Sequence, residues 1–118
     1  MKVKLSDPDL GELCSRRLSL TVGVIYPVLG IDDENYRVVN DLLEPVLYGK
    51  DIFDVVESTV PGDWINRKYE DGEYHFYPPD FSEVGFFEDY FDGFAPAIEK
   101  YNRYLKLNGL ERLKRNPD

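Results

Sequence analysis

The chain has few residues of the types that common functional classes require. It contains one cysteine, Cys14, and one histidine, His75, among 118 residues. A single thiol cannot form an internal disulfide, and these two residues cannot supply the ligands of a structural zinc site. We therefore expect no metal, no cofactor and a packed, inert Cys14.

Long apolar runs and a leader-like N-terminus are missing as well. The longest apolar runs fall far short of the roughly 20 residues that a membrane-spanning helix needs. Residues 1–8 lack the apolar core and the small-residue cleavage site of a signal peptide. The sequence thus predicts a cytoplasmic protein.

Basic residues are also scarce. The chain carries 14 Lys and Arg against 23 Asp and Glu, a formal net charge of -9. Nucleic acids and anionic membrane surfaces attract proteins of the opposite sign, so we expect neither as a partner. The glycines are too isolated to form a phosphate-binding loop, which leaves nucleotide hydrolysis without support.

The sequence gives only weak evidence for a set of catalytic residues. Ser58 or Ser82 could be combined with His75 on paper, but neither serine lies in a nucleophile elbow. Paired carboxylates are abundant, yet a domain of this size rarely provides the cleft that a glycosidase needs. The run 32–34 also fails the calcium-loop pattern. We predict that the protein is not an enzyme, a hypothesis that an ordered metal or sugar between two acidic loops would reopen.

The length and composition of the chain suit one small domain spanning residues 1–118. Residues 1–17 have no sustained apolar period and predict an irregular lead-in, with one short edge strand expected around Arg17 to Thr21. A β core follows at 18–77. Its candidate strands are short β-branched and aromatic segments at 24–29, 36–39, 45–48 and 52–56.

The clearest local signal is a hairpin. Alternating runs at 64–70 and 73–77 flank Asp71-Gly72, which favours a tight type I′ turn. On the second arm Tyr74 and Phe76 should face the core, while His75 and Tyr77 should face solvent.

The C-terminal third predicts helical structure. Residues 78–94 form an aromatic and acidic segment with room for one or two helical turns. A helix is expected over 95–109, with apolar residues at helical spacing and Gly109 as its stop. The predicted class is α+β: a bent antiparallel sheet or SH3-like small barrel with an added hairpin and a C-terminal helix.

Charge is distributed unevenly along the chain. Residues 23–94 hold 17 acidic and 4 basic residues, a net charge of -13, whereas residues 1–22 carry +1 and 95–118 carry +3. Tyrosine and tryptophan are interleaved with this acidity, a composition typical of interface hot spots. Such a surface would attract a cationic protein through long-range electrostatics.

We therefore predict a partner-binding surface in this middle region and assign Phe53 and Trp64 to the core. The best candidate contacts combine acidic side chains with the two tyrosines expected to be exposed; they are Glu70, Asp71, Glu73, Tyr77, Asp80, Glu88, Asp89, Tyr90 and Asp92.

A family resemblance points in the same direction. The stretches 23–31, 36–41, 45–48 and 53–56, followed by Pro61-Gly62-Asp63-Trp64, resemble small bacterial SH3-like proteins. The whole chain is similar to the small acidic immunity proteins encoded beside bacterial contact-dependent or polymorphic toxins. The resemblance implies that the protein binds and neutralises a cognate cationic toxin, an RNase or DNase among the options. Its motifs are structural and transfer no contact residue.

A second hypothesis remains open at this point. The chain could be an SH3-like regulatory or scaffold module that binds a peptide in an aromatic groove. That hypothesis requires an exposed, contiguous row of aromatic side chains built from Tyr26, Tyr36, Tyr48 and Trp64.

Overall fold

The computed structural model describes residues 1–6 and 19–110 and has the predicted α+β class. Seven strands form an antiparallel sheet, and two α-helices follow them in the chain. The strands are β1 (Lys2–Leu5), β2 (Tyr26–Asp32), β3 (Asn35–Val39), β4 (Pro45–Gly49), β5 (Phe53–Glu57), β6 (Ile65–Lys68) and β7 (Tyr74–Tyr77). The helices are α1 (Phe86–Phe91) and α2 (Ala95–Leu107), with 3₁₀ turns at Lys50–Ile52 and Pro79–Phe81.

The sheet is bent and does not close into a barrel. Its main path runs β4-β3-β2-β1-β5, and β7 pairs with β2 and carries β6. One edge of β2 pairs first with β1, at Tyr26 and Pro27, and then with β7, at Ile31 and Asp32. The register of β2 against β3 shifts between Val28 and Gly30, which bends the strand at this bulge.

Residues 7–17 of the predicted irregular lead-in lie outside the described part, and the described residues 1–6 differ from the prediction. Residues Lys2–Leu5 form a strand that lies inside the sheet, between β2 and β5. Val3 and Leu5 are buried, while Lys2 and Lys4 are exposed. Four residues give a period-2 pattern too short to recognise, so the strand depends on its two neighbours. Residues 17–18 of the expected edge strand lie outside the described part, and residues 19–21 are not a strand.

The predicted hairpin is present, but its turn is of another type. Lys68 pairs with Tyr74, and the Tyr69 amide donates to the Glu73 carbonyl at 2.7 Å, which leaves a three-residue loop. A type I′ turn needs a positive φ at both central residues. Among the described non-glycine residues, only Ser19 and Leu43 have a positive φ, so Asp71 does not adopt this conformation. Within the three-residue loop, Gly72 is the residue with a left-handed φ, at 89°, as expected after a type I turn with a bulge.

Two apolar clusters cover the two faces of the sheet. Successive residues of a strand point to opposite faces, so Val28 and Val38 enter one cluster while Leu29 and Val39 enter the other. Phe53 and Trp64 belong to the first cluster, as the sequence predicted. The second cluster lies between the sheet and the two helices.

The C-terminal half follows the sequence prediction closely. The 78–94 segment contains one 3₁₀ turn and α1, and α2 ends two residues before Gly109. Ala97, Tyr101 and Leu105 give α2 a buried face at helical spacing. The Tyr101 hydroxyl donates to the Leu43 carbonyl at 2.7 Å, which ties the helix to the β3–β4 loop.

Candidate functional site

A cleft of about 330 Å³ lies between β7, the end of β2 and the 81–88 segment that leads into α1. Two shallower hollows adjoin it. One shares Asp32, Asp71 and Glu73 with the cleft and lies at the β2–β3 turn; the other shares Arg37, Phe87 and Glu88 and runs along α1. We call these three concavities together the acidic cleft.

Carboxylates are the most numerous charged side chains in the lining of the acidic cleft. They come from two turns and from the segment around α1: Asp32, Asp33, Glu34, Asp71, Glu73, Glu83, Glu88 and Asp92. Arg37 is the one Lys or Arg side chain among the lining residues that the structure describes. Within residues 1–6 and 19–110, none of these eight carboxylates has an ion pair with Lys or Arg. Their combined field therefore extends into solvent.

Arg37 is committed to the protein itself. Its Nε donates to the Tyr77 hydroxyl at 3.1 Å and its Nη1 donates to the Pro45 carbonyl at 2.9 Å. The guanidinium carbon also lies 4.0 Å from the centre of the Phe87 ring, a cation–π geometry. Two of the five N–H donors of Arg37 and one face of its guanidinium are thus engaged at the floor of the cleft, and its single positive charge lies among several carboxylates.

Tyr77 forms part of that floor, which corrects the sequence prediction that it would be an exposed contact. Its side chain is only 5% exposed and packs against the Phe87 ring. The alternation along β7 does place Tyr77 and Phe76 on opposite faces of the sheet. The 81–88 segment, however, covers the face of Tyr77 that was expected to be exposed to solvent. Burial raises the pKa of the Tyr77 phenol, and the Arg37 cation opposes that rise.

Gly30 allows the Tyr77 ring to lie against β2. A Cβ atom built at Gly30 would overlap the Tyr77 side chain. We expect Gly30→Ala to displace Tyr77 from the floor and to lower the free energy of unfolding by about 1–3 kcal/mol. Urea denaturation followed by Trp64 fluorescence measures the change. Gly62→Ala is the matched control, because a Cβ there meets no atom within 4 Å; an equal loss in both variants would contradict the overlap.

The remaining predicted contacts divide into two groups. Asp71, Glu73, Glu88 and Asp92 line the acidic cleft. Glu70, Asp80, Asp89 and Tyr90 do not line it. The Tyr90 ring is half-buried and packs edge-on against Tyr101, and burial raises its pKa.

Sequence reasoning missed the contribution of the β2–β3 turn. In the sequence, Asp32, Asp33 and Glu34 stood out only as an acidic run that fails the calcium-loop pattern. The pairing of Asp32 with His75 places this turn beside the β6–β7 hairpin, some 40 residues away in the chain. The acidic run itself was visible, but no local pattern indicated which other loop it would meet.

The same pairing gathers potential metal ligands. One ligand atom each of Asp32, Glu73 and His75 lies within 4.8 Å of the others. No metal was expected, because the sequence lacks clustered Cys and His; these three residues come from two separate strand ends and meet only in the fold. The Ser82 hydroxyl, one of the two serines considered as a nucleophile, donates to the Pro79 carbonyl at 3.1 Å.

Apolar side chains border the carboxylates at two places. Val84 is 77% exposed and lines the main cleft, and Phe91 is 52% exposed and lines the hollow along α1. A partner that covers these side chains would bury their exposed apolar area, which favours binding.

The aromatic groove required by the peptide-binding hypothesis is not formed by the expected residues. Tyr26, Tyr48 and Trp64 are buried in the first apolar cluster, and Tyr36 packs against it. The Tyr26 hydroxyl donates to Asp41 Oδ1 at 2.7 Å, so its polar end is also engaged internally.

Among the described helices, none has both the length and the apolar character needed to cross a bilayer. The chain matches no protein-family model, no curated protein and no solved structure.

Proposed function

We propose that this protein binds a basic protein toxin and neutralises it by occluding its active site. The observation that carries the proposal is the acidic cleft, whose three adjoining concavities are lined by eight carboxylates and, among the described residues, by one arginine that already has internal partners. A cationic surface would be attracted to this field over a long range and would find unpaired acceptors on arrival.

A nuclease active site is the type of cationic surface that fits best. Nucleases hold the phosphate backbone with Lys and Arg, because neutralising phosphates supplies much of the affinity for nucleic acid. An array of carboxylates can take the place of those phosphates. Val84 and Phe91 would add apolar contacts at the rim, where burial of exposed apolar area favours binding.

In this role the protein inhibits the toxin by binding to it and catalyses no reaction of its own. Its mechanism is steric and electrostatic: the bound protein covers the toxin's substrate groove and pairs with its cations. The family resemblance of the sequence to acidic immunity proteins agrees with this role, and the protein would act in the cytoplasm of the cell it protects.

The test is an affinity capture followed by an activity assay. The tagged protein is incubated with an extract of its native cells at low salt, and the retained protein is identified by mass spectrometry. We expect one basic partner that is toxic when expressed alone, is inhibited at a 1:1 ratio and dissociates as salt rises. Retention of only acidic or neutral proteins, or a captured partner whose activity is not inhibited, would overturn the proposal.

A further inference from the structure

One corner of the acidic cleft combines residue types that bind transition metals. Asp32 is the last residue of β2, and its register partner on β7 is His75. Glu73 immediately precedes β7, and its Oε1 lies 3.8 Å from His75 Nε2. One ligand atom from each of the three residues lies within 4.8 Å of the other two.

The surroundings of Asp32 leave one of its oxygens available to a ligand. Its side chain is only 5% exposed. Oδ1 accepts hydrogen bonds from the amides of Glu34 and Asn35, at 3.0 and 2.7 Å. Within residues 1–6 and 19–110, Oδ2 has no hydrogen-bond partner and no Lys or Arg pairs with the carboxylate.

The free oxygen of Asp32 is open to the cleft, because Trp64 Nε1 is the one enclosed side-chain polar atom without a partner among the described residues. A carboxylate at such a place pairs with a basic side chain, coordinates a metal or is hydrated. Arg37, which also lines the cleft, donates to Tyr77 and to the Pro45 carbonyl. Asp32 Oδ2 is therefore available at the corner where Glu73 and His75 converge.

We propose that Asp32, Glu73 and His75 bind one divalent transition-metal ion of the zinc type. Zinc accepts imidazole nitrogen and carboxylate oxygen at about 2.0–2.2 Å, so its ligand atoms lie closer together than they do here. Glu73 is exposed and His75 is half-buried, which leaves both side chains free to close on the ion. One imidazole among the ligands favours zinc, nickel or copper over magnesium and calcium. The remaining coordination positions face the cleft and are filled by water.

Zinc titration of the full-length protein tests this site and needs no protein partner, so its outcome is independent of the proposed function. The chelator-treated protein is titrated with zinc chloride by calorimetry, and the ring signals of His75 are followed by NMR. His75 is the one histidine of the chain, so these signals are unambiguous. We expect one equivalent of zinc to bind and to shift the His75 ring signals, while magnesium and calcium leave them unchanged.

Variants separate this site from other zinc ligands. We expect His75→Ala and Glu73→Gln each to weaken zinc binding at least about tenfold. Asp32→Asn is expected to do the same while keeping the Oδ1 acceptor of the turn. Asp33→Asn is the matched control, an adjacent exposed carboxylate, and Cys14→Ser tests the thiol; both are expected to change the affinity less than about twofold. Zinc affinity unaltered by His75→Ala, or saturation without movement of the His75 signals, would overturn the proposal.

Discussion

Reversing three charges of the acidic cleft is expected to weaken binding of the captured partner by at least about a hundredfold. The variant carries Glu83→Lys, Glu88→Lys and Asp92→Lys, three exposed carboxylates that line the cleft or its hollow along α1. Like charges brought together at an interface cost several kcal/mol, and a hundredfold change in Kd corresponds to about 2.7 kcal/mol. Surface plasmon resonance at low and at physiological salt measures both rate constants.

The structure provides a control with the same change in net charge. Glu70→Lys, Asp80→Lys and Asp89→Lys also reverse three exposed carboxylates, and none of them lines the acidic cleft. At physiological salt the Debye length is about 8 Å, so charges outside the contact act weakly. We expect this set to change Kd less than about threefold. Equal losses in the two sets would show that net charge alone governs binding and would rule out the cleft as the contact surface.

The largest effect on stability is expected at Tyr101. This side chain is fully buried in the second apolar cluster, where its ring packs against Phe81 and Tyr90. Tyr101→Ala would leave a cavity and is expected to lower the free energy of unfolding by about 3–5 kcal/mol. A domain of this size has only about 5–15 kcal/mol in total, so the variant would be marginally folded. Urea denaturation followed by circular dichroism and by Trp64 fluorescence measures the loss.

Two further variants separate the causes. Tyr101→Phe keeps the ring but removes the hydroxyl that donates to the Leu43 carbonyl. We expect a loss of about 1–3 kcal/mol, because that carbonyl would lose its side-chain donor. Leu107→Ala lies on the same helix with 78% of its side chain exposed, and should change stability by less than about 0.5 kcal/mol. A loss at Tyr101→Ala no larger than at Leu107→Ala would contradict the role of Tyr101 in the core.

Trp64 also reports on whether the sheet unfolds as one unit. It lies in the first apolar cluster, on the face of the sheet opposite Tyr101. Loss of packing at Tyr101 should therefore shift the fluorescence transition as far as the circular dichroism transition if the two clusters unfold together.

Much of the fold could be predicted because the signals were local. The hairpin around Asp71-Gly72 and the helix ending before Gly109 both depend on residues that are neighbours in the chain. The strand segments at 36–39 and 45–48 were recognisable for the same reason, since β-branched and aromatic residues cluster there.

The failures share a different cause. The strand Lys2–Leu5 is stabilised by β2 and β5, and its four residues carry no signal of their own. The turn at Asp71 was assigned from its dipeptide, although the register of the two arms decides whether a loop has two or three residues. Tyr77 was expected in solvent because the alternation along β7 places it on the face opposite to Phe76. That alternation is correct, but α1 and the segment before it cover this face and make it apolar.

The candidate site was predictable only in its chemistry. Composition alone determined that the middle of the chain is strongly acidic and rich in tyrosine, and four of its predicted carboxylates do line the cleft.

By itself the sequence determined the α+β class, the local elements and the excess of negative charge, because composition and short-range periodicity encode them. The tertiary structure decided which acids share a cleft, which tyrosine forms its floor, and that Asp32, Glu73 and His75 converge. These features depend on pairing between strands that are distant in the chain. Such pairing is set by the packing of both faces of the sheet, and no stretch of the sequence records it alone.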